Sequence, residues 1–115
     1  MKISSFILSF IFCLLNANAN DFYAKIQKKI IFASIGDTIF LPEGKIDIDR
    51  SLLASGLKNV TFYGHGIDKT ILNFKNQIEG AEGIKIINSD NITLQNFTIE
   101  NSKGDLIKVE DTDGI

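Results

Sequence analysis

The chain has 115 residues, of which 44% are hydrophobic and 23% charged, with nine Gly, one Pro and one Cys. This mixture excludes a disordered, collagen-like or disulfide-stapled protein, and the length holds one domain rather than two. The formal net charge of −2 also argues against sequence-independent nucleic-acid binding, which needs a basic surface.

The chain opens with Met1-Lys2, a nearly unbroken apolar run from Ile3 to Leu15, and Ala17-Asn18-Ala19. A positive start, a short apolar stretch and a small-residue A-x-A site describe a Sec-type signal peptide over residues 1–19, cut after Ala19. The run is too short for a comfortable membrane span. The expected product is secreted or periplasmic, with no stable membrane span after cleavage. A lipoprotein signal ending at Cys13 is the alternative, but the bulky Phe10-Ile11-Phe12 ahead of it fits that pattern poorly. Cleavage after Ala19 removes Lys2 and the lone Cys13, leaving a thiol-free chain of charge about −3, which suits an oxidising compartment.

Residues 20–36 are expected to form one amphipathic helix. Phe22, Tyr23, Ile26, Ile30, Ile31 and Ala33 fall at helical spacing, with Asp21 as N-cap and Gly36 as stop signal. Short strands follow. Thr38-Ile39-Phe40-Leu41 ends at Pro42-Glu43-Gly44, which is turn chemistry, and Ile46 and Ile48 then alternate with Asp47 and Asp49.

The later half contains a repeat. Residues 81–92 superimpose on 104–115 without a gap at an offset of 23, so that Lys85 meets Lys108 and Asp90 meets Asp113. A second echo at an offset of 32 sets Asn59-Val60-Thr61-Phe62 against Asn91-Ile92-Thr93-Leu94. The longer offset is attributed to an enlarged loop at Gly64-His65-Gly66-Ile67-Asp68-Lys69. Fixed periods of this size mark stacked repeats. The apolar pairs Ile84/Ile86, Ile92/Leu94 and Phe97/Ile99 give three short strands per unit, with Lys85, Thr93 and Thr98 facing out. Residues 37–115 are therefore expected to be all-β: about three coils of a parallel β-helix, stacked about 4.8 Å apart. A leucine-rich repeat has a similar period, but its Leu lattice is missing and β-branched residues favour strands.

Gly36-Asp37-Thr38-Ile39-Phe40-Leu41-Pro42-Glu43-Gly44 resembles the opening strand of the bacterial right-handed parallel β-helix, pectate-lyase-like superfamily. Residues 59–72, Gly80-Ala81-Glu82-Gly83-Ile84 and Gly104-Asp105-Leu106-Ile107-Lys108-Val109 extend the resemblance over nearly all of residues 24–115. It implies a right-handed coil, a helix plugging its N-terminal end, and association with acidic polysaccharide along one face, as in polysaccharide lyases, hydrolases and epimerases. No residue here matches that family's catalytic groups, so no activity is carried over. Ile115 aligns with Ile92, the first inward residue of a strand, so the chain is expected to be the N-terminal portion of a longer solenoid, truncated at its C-terminus.

Site signals are sparse. Gly64-His65-Gly66 reads either as an anion cradle or as a tight corner. His65 is the only histidine, which excludes a histidine-based metal cluster, and no nucleophile elbow occurs. Stacking brings Glu82 to Asp105 and Asp90 to Asp113. Glu82 and Asp105, with Lys85 and Lys108 three positions on, are the candidate substrate-binding residues, and Asp90 and Asp113 the candidate metal ligands. Ca²⁺ is the cation such oxygens would take. Paired carboxylates also suit acid–base work on sugars, and the competing reading is that they are ordinary polar turns whose charge the lysines neutralise. The N-x-T triplets at Asn59, Asn91 and Asn96 fit a corner-plus-strand pattern better than glycosylation. A non-catalytic periplasmic or surface scaffold is the alternative function.

Overall fold

The computed structural model describes residues 19–115, and side chains from Asp21 onward. The expected signal segment, apart from Ala19, and Cys13 lie outside the described residues. Helix α1 (Ala19–Ile31) is followed by β1 (Thr38–Phe40), β2 (Gly44–Asp47), β3 (Arg50–Ser55), β4 (Lys58–Tyr63), β5 (Thr70–Asn73), β6 (Glu79–Ile87), β7 (Asp90–Gln95), β8 (Thr98–Glu100) and β9 (Ile107–Glu110). Every third strand joins the same sheet. The chain thus builds three three-stranded sheets, β1-β4-β7, β2-β5-β8 and β3-β6-β9, and all pairings within them are parallel. Each run of three strands is one circuit of the three sheets.

The two sequence offsets are the backbone register itself. Lys85 pairs with Lys108 and Ile86 with Val109 at 23 residues, while Val60 pairs with Ile92 and Phe62 with Leu94 at 32. Apolar residues therefore stack on apolar residues from circuit to circuit. Ile39, Phe62 and Leu94 form one such column, Ile46, Leu72 and Ile99 a second, and Leu52, Ile84 and Ile107 a third. The middle members Phe62, Leu72 and Ile84 are fully buried, because an apolar neighbour lies on either side. In the last circuit Ile107 and Val109 are each 41% exposed, for β7, β8 and β9 have a strand on one side only.

One expectation about the long period is corrected. The offset grows from 23 at Thr38–Thr61 to 26 at Gly44–Thr70, so the 64–69 loop supplies only three of the extra residues. It reaches 29 at Arg50–Glu79 and 32 at Leu52–Ile84, across the turn after β5 and an irregularity in the β3–β6 pairing. A bulge between Glu79 and Ile84 takes up residues without changing which face the following side chains occupy. Gln77 anchors this region. Its buried amide donates to Ser51 Oγ at 3.1 Å and to the Glu82 carbonyl at 2.8 Å, and accepts from Lys103 N–H at 3.2 Å.

The corners also stack. Gly36, Asn59, Asn91 and Gly114 occupy one position in successive turns, and all have positive φ, from 53° to 86°. Gly56, Asn88 and Asp111 form a second left-handed column. Asn is the non-glycine residue that enters this region most cheaply, and stacking lets it bond its neighbour: Asn91 Nδ2 donates to Asn59 Oδ1 at 2.6 Å. Gly36 therefore differs from the expected helix stop. The helix ends five residues earlier, at Ile31, and Gly36 N–H donates to the Lys58 carbonyl at 3.1 Å, as a member of the first corner. Asp21 likewise lies inside the first helical turn rather than at the cap, and Lys28 and Lys29 lie in the last; both placements complement the helix dipole.

Helix α1 covers the free edge of the first circuit. Ile26 and Ile30 enter the core, whereas Ile31, expected on the same apolar face, is 66% exposed. The Gln27 amide acts as a substitute strand: Nε2 donates to the Leu53 carbonyl at 2.8 Å and Oε1 accepts from Leu53 N–H at 2.9 Å. Lys29 Nζ donates to the Phe40 carbonyl of β1 at 3.0 Å. Arg50, bonded to Asp49 and Glu79 at 3.2 and 3.3 Å, sits 5.1 Å from the Tyr23 ring and ties the helix to β3 and β6.

Stacked corners make a differential prediction. A Cβ at Gly64 would overlap the Asn96 carbonyl oxygen of the next circuit, whereas one at Gly36 meets nothing. Gly64→Ala is expected to lower unfolding free energy by about 1–3 kcal/mol through overpacking. Gly36→Asn meets no neighbour but must hold a side chain at φ 86°, and should cost less, about 1 kcal/mol or below, because Asn enters the left-handed region most cheaply. Urea denaturation of the two variants measures both. A separate expectation concerns the cap: Gln27→Ala should speed amide hydrogen exchange at Leu53, because its N–H loses its only strand-like acceptor.

Candidate functional site

The outward face of β3-β6-β9 carries the densest charge of the candidate residues. Strand alternation points Lys85 of β6 and Lys108 of β9 to the same side, and parallel register sets them directly beside one another. Two ammonium groups one strand apart repel. Two glutamates relieve this. Lys108 Nζ lies 3.8 Å from Glu82 and 3.4 Å from Glu110, and Lys85 Nζ lies 4.0 Å from the other Glu110 oxygen. The result is a Glu82–Lys108–Glu110–Lys85 chain, half-exposed and neutral in sum.

Glu82 is the one carboxylate in this group with a clear shift, held below the usual carboxylate range. Its own backbone N–H is the main cause and outweighs partial desolvation; the Ala81 N–H, Lys108 and Lys85 add to the effect. A carboxylate so held is ionised at neutral pH and serves poorly as a proton donor.

The remaining predicted residues are placed as follows. Asp105 adjoins Glu82 through the backbone, its carbonyl accepting from Gly83 N–H at 3.0 Å, but its side chain makes no ion pair among the described residues. Asp90 and Asp113 are bridge partners, with Asn91 N–H donating to the Asp113 carbonyl at 2.7 Å. Stacking therefore does bring this pair together. Calcium takes roughly six to eight oxygen ligands, and among the described residues no group of three or more His, Cys, Asp or Glu is arranged to hold a metal ion.

Glu110 is the member the sequence reasoning missed. Its signal was available: two positions after Lys108 on one strand means the same face.

The Gly64-His65-Gly66 question is answered by its amides. Gly64 N–H donates to the Gln95 carbonyl and Gly66 N–H to that of Asn96, at 2.9 and 2.8 Å, while His65 N–H donates to Thr70 Oγ1 at 2.9 Å. All three are engaged within the fold, so the segment is a corner rather than an anion cradle.

No protein-family model, curated protein or solved structure matches this chain. Among the described residues no helix is long and apolar enough to cross a membrane.

The charge chain has a pH signature. A depressed folded pKa means that the stabilisation from Glu82 is present above its unfolded pKa and is lost as pH falls through the folded value. Glu82→Gln should therefore be less stable than the parent at neutral pH, and the gap should close in acid, below the ordinary glutamate pKa of about 4.3. Thermal midpoints of both proteins across this range provide the measurement.

Proposed function

We propose that this chain is an exported right-handed parallel β-helix protein that binds acidic polysaccharide along the outer face of β3-β6-β9. The observation that carries the reading is the in-register column of Lys85 and Lys108 on that face. Leu53 holds this position in the first circuit; the second and third circuits each place a lysine there, about 4.8 Å apart, so an extended polyanion lying along the column would meet two ammonium groups. Lysine supplies point charges without the fixed fork of arginine, which suits contact with a flexible chain of carboxylates. Glu82, held ionised, serves poorly as a proton donor, which weighs against a catalytic form of this reading. Export rests on the first 19 residues, and the right-handed coil and pectate-lyase-like character rest on the sequence resemblance together with the three parallel sheets.

A second reading, a non-catalytic scaffold, has one observation in its favour: both lysines already have glutamate partners. The two readings diverge in a single experiment. Polygalacturonate titrated into the protein at low salt should bind, and the binding should weaken as salt rises. Lys85→Gln/Lys108→Gln should abolish it, whereas Glu82→Gln/Glu110→Gln should strengthen it by releasing both lysines. Affinity unaltered in both double variants, or no binding of any acidic polysaccharide, would leave the scaffold.

A further inference from the structure

A second feature lies at the capped end and shares no residue with the charge chain. Between α1, the end of β1 and the corner at His65 is an open cleft of about 740 Å³. Phe22, Phe32 and Phe40 form its apolar walls, and Lys25, Lys28 and His65 stand with them. The helix supplies Phe22, Lys25 and Lys28, and Phe32 follows in the turn just past its end, its N–H donating to the Lys28 carbonyl at 3.1 Å, so aromatic and cationic groups stand together.

Three observations distinguish this cleft from ordinary surface. First, its apolar groups are large and open to solvent: Phe32 is 73% exposed and Phe40 61%. Single exposed apolar side chains are normal, but a contiguous group in a concavity marks a binding site. Second, Phe40 is held in place from behind. Its ring meets Tyr63 edge-on at 6.1 Å between centroids, and its carbonyl accepts from Lys29. The wall is therefore built before any ligand arrives. Third, the charge is of one sign. No Asp or Glu lines the cleft, and neither Lys25 nor Lys28 makes an ion pair among the described residues, in contrast to Lys85 and Lys108.

A ligand that complements this arrangement has an apolar body and a negative end. We propose that the cleft binds a monomeric long-chain carboxylate, its alkyl chain against Phe22, Phe32 and Phe40 and its carboxylate beside Lys25 and Lys28. The aromatic surface removes the chain from water. The lysines select the sign of the head group, because a cationic amphiphile of the same length gains the same apolar contact but meets like charge.

The test is a titration of the full chain with dodecanoate below its micelle concentration, read by calorimetry and by backbone amide shifts. Saturable one-to-one binding is expected, with shifts centred on residues 22–42 and at His65. Lys25→Glu/Lys28→Glu, both exposed and so compatible with folding, should weaken binding by about tenfold or more, and Phe32→Ser should weaken it independently. Dodecyltrimethylammonium should bind the parent more weakly than dodecanoate, and the order should reverse in the lysine double variant. Absence of saturable binding, shifts centred elsewhere, or equal affinity in parent and lysine variant would overturn the proposal. So would binding to anionic phosphatidylglycerol vesicles without binding of free dodecanoate, which would make the cleft a membrane-docking surface instead.

Discussion

Everything in this structure depends on parallel backbone pairing between a strand and its counterpart one circuit later. The pairing fixes which residues stack, and stacking then decides both core and surface. Because side chains alternate across a strand, a slip of one residue would turn Phe62, Leu72 and Ile84 outward and bring Lys85 inward. The apolar columns oppose such a slip at nine strands at once. Helix α1 extends the same logic to the first edge, where Gln27 presents one donor and one acceptor to Leu53 as a neighbouring strand would. An edge left bare would pair with other chains.

Corners carry the second constraint. The bend between β3 and β4 places left-handed residues at the same levels as its counterparts in the other circuits. Gly36, Asn59, Asn91 and Gly114 fill one such level with only two residue types. Asparagine adds a bond between levels that glycine cannot. A corner can also carry close packing: Gly64 lies directly beneath the Asn96 carbonyl, so its lack of a side chain serves proximity rather than positive φ.

Much of this was legible in the sequence because the repeat is written in the residues that stack. The gapless match of 81–92 to 104–115 is the β6–β9 register, and the N-x-T triplets are corners followed by strands. Where the reading failed, the cause was local. The extra residues of the middle circuit were all assigned to the Gly64–Lys69 loop, because β5 is only four residues long and left no anchor to show that most lie after it. Gln27 is not marked out by the apolar spacing of the helix, since its partner is a backbone and leaves no trace in side-chain pattern. Glu110 was hidden because its repeat partner is the apolar Ile87, although its strand phase relative to Lys108 was readable. The aromatic cleft was invisible for a related reason: Phe40 and His65 reach Phe22 and Phe32 only through the three-dimensional meeting of helix, strand and corner.

Two surfaces follow from one scaffold. On β3-β6-β9, register aligns the lysines and forces glutamates between them, giving a face whose charge is balanced. At the capped end, helix and first strand meet in an apolar cleft whose Lys25 and Lys28 make no ion pair among the described residues. Both rest on the strand register, and the most direct test of it is isotope-edited NMR of contacts between amide and α-protons of non-consecutive strands. Contacts are expected to link Thr38 to Thr61 and Thr61 to Thr93, and Lys85 to Lys108, in the slanted pattern of parallel pairing. Contacts between consecutive strands in the alternating pattern of antiparallel hairpins, such as β1 with β2 or β6 with β7, would contradict it.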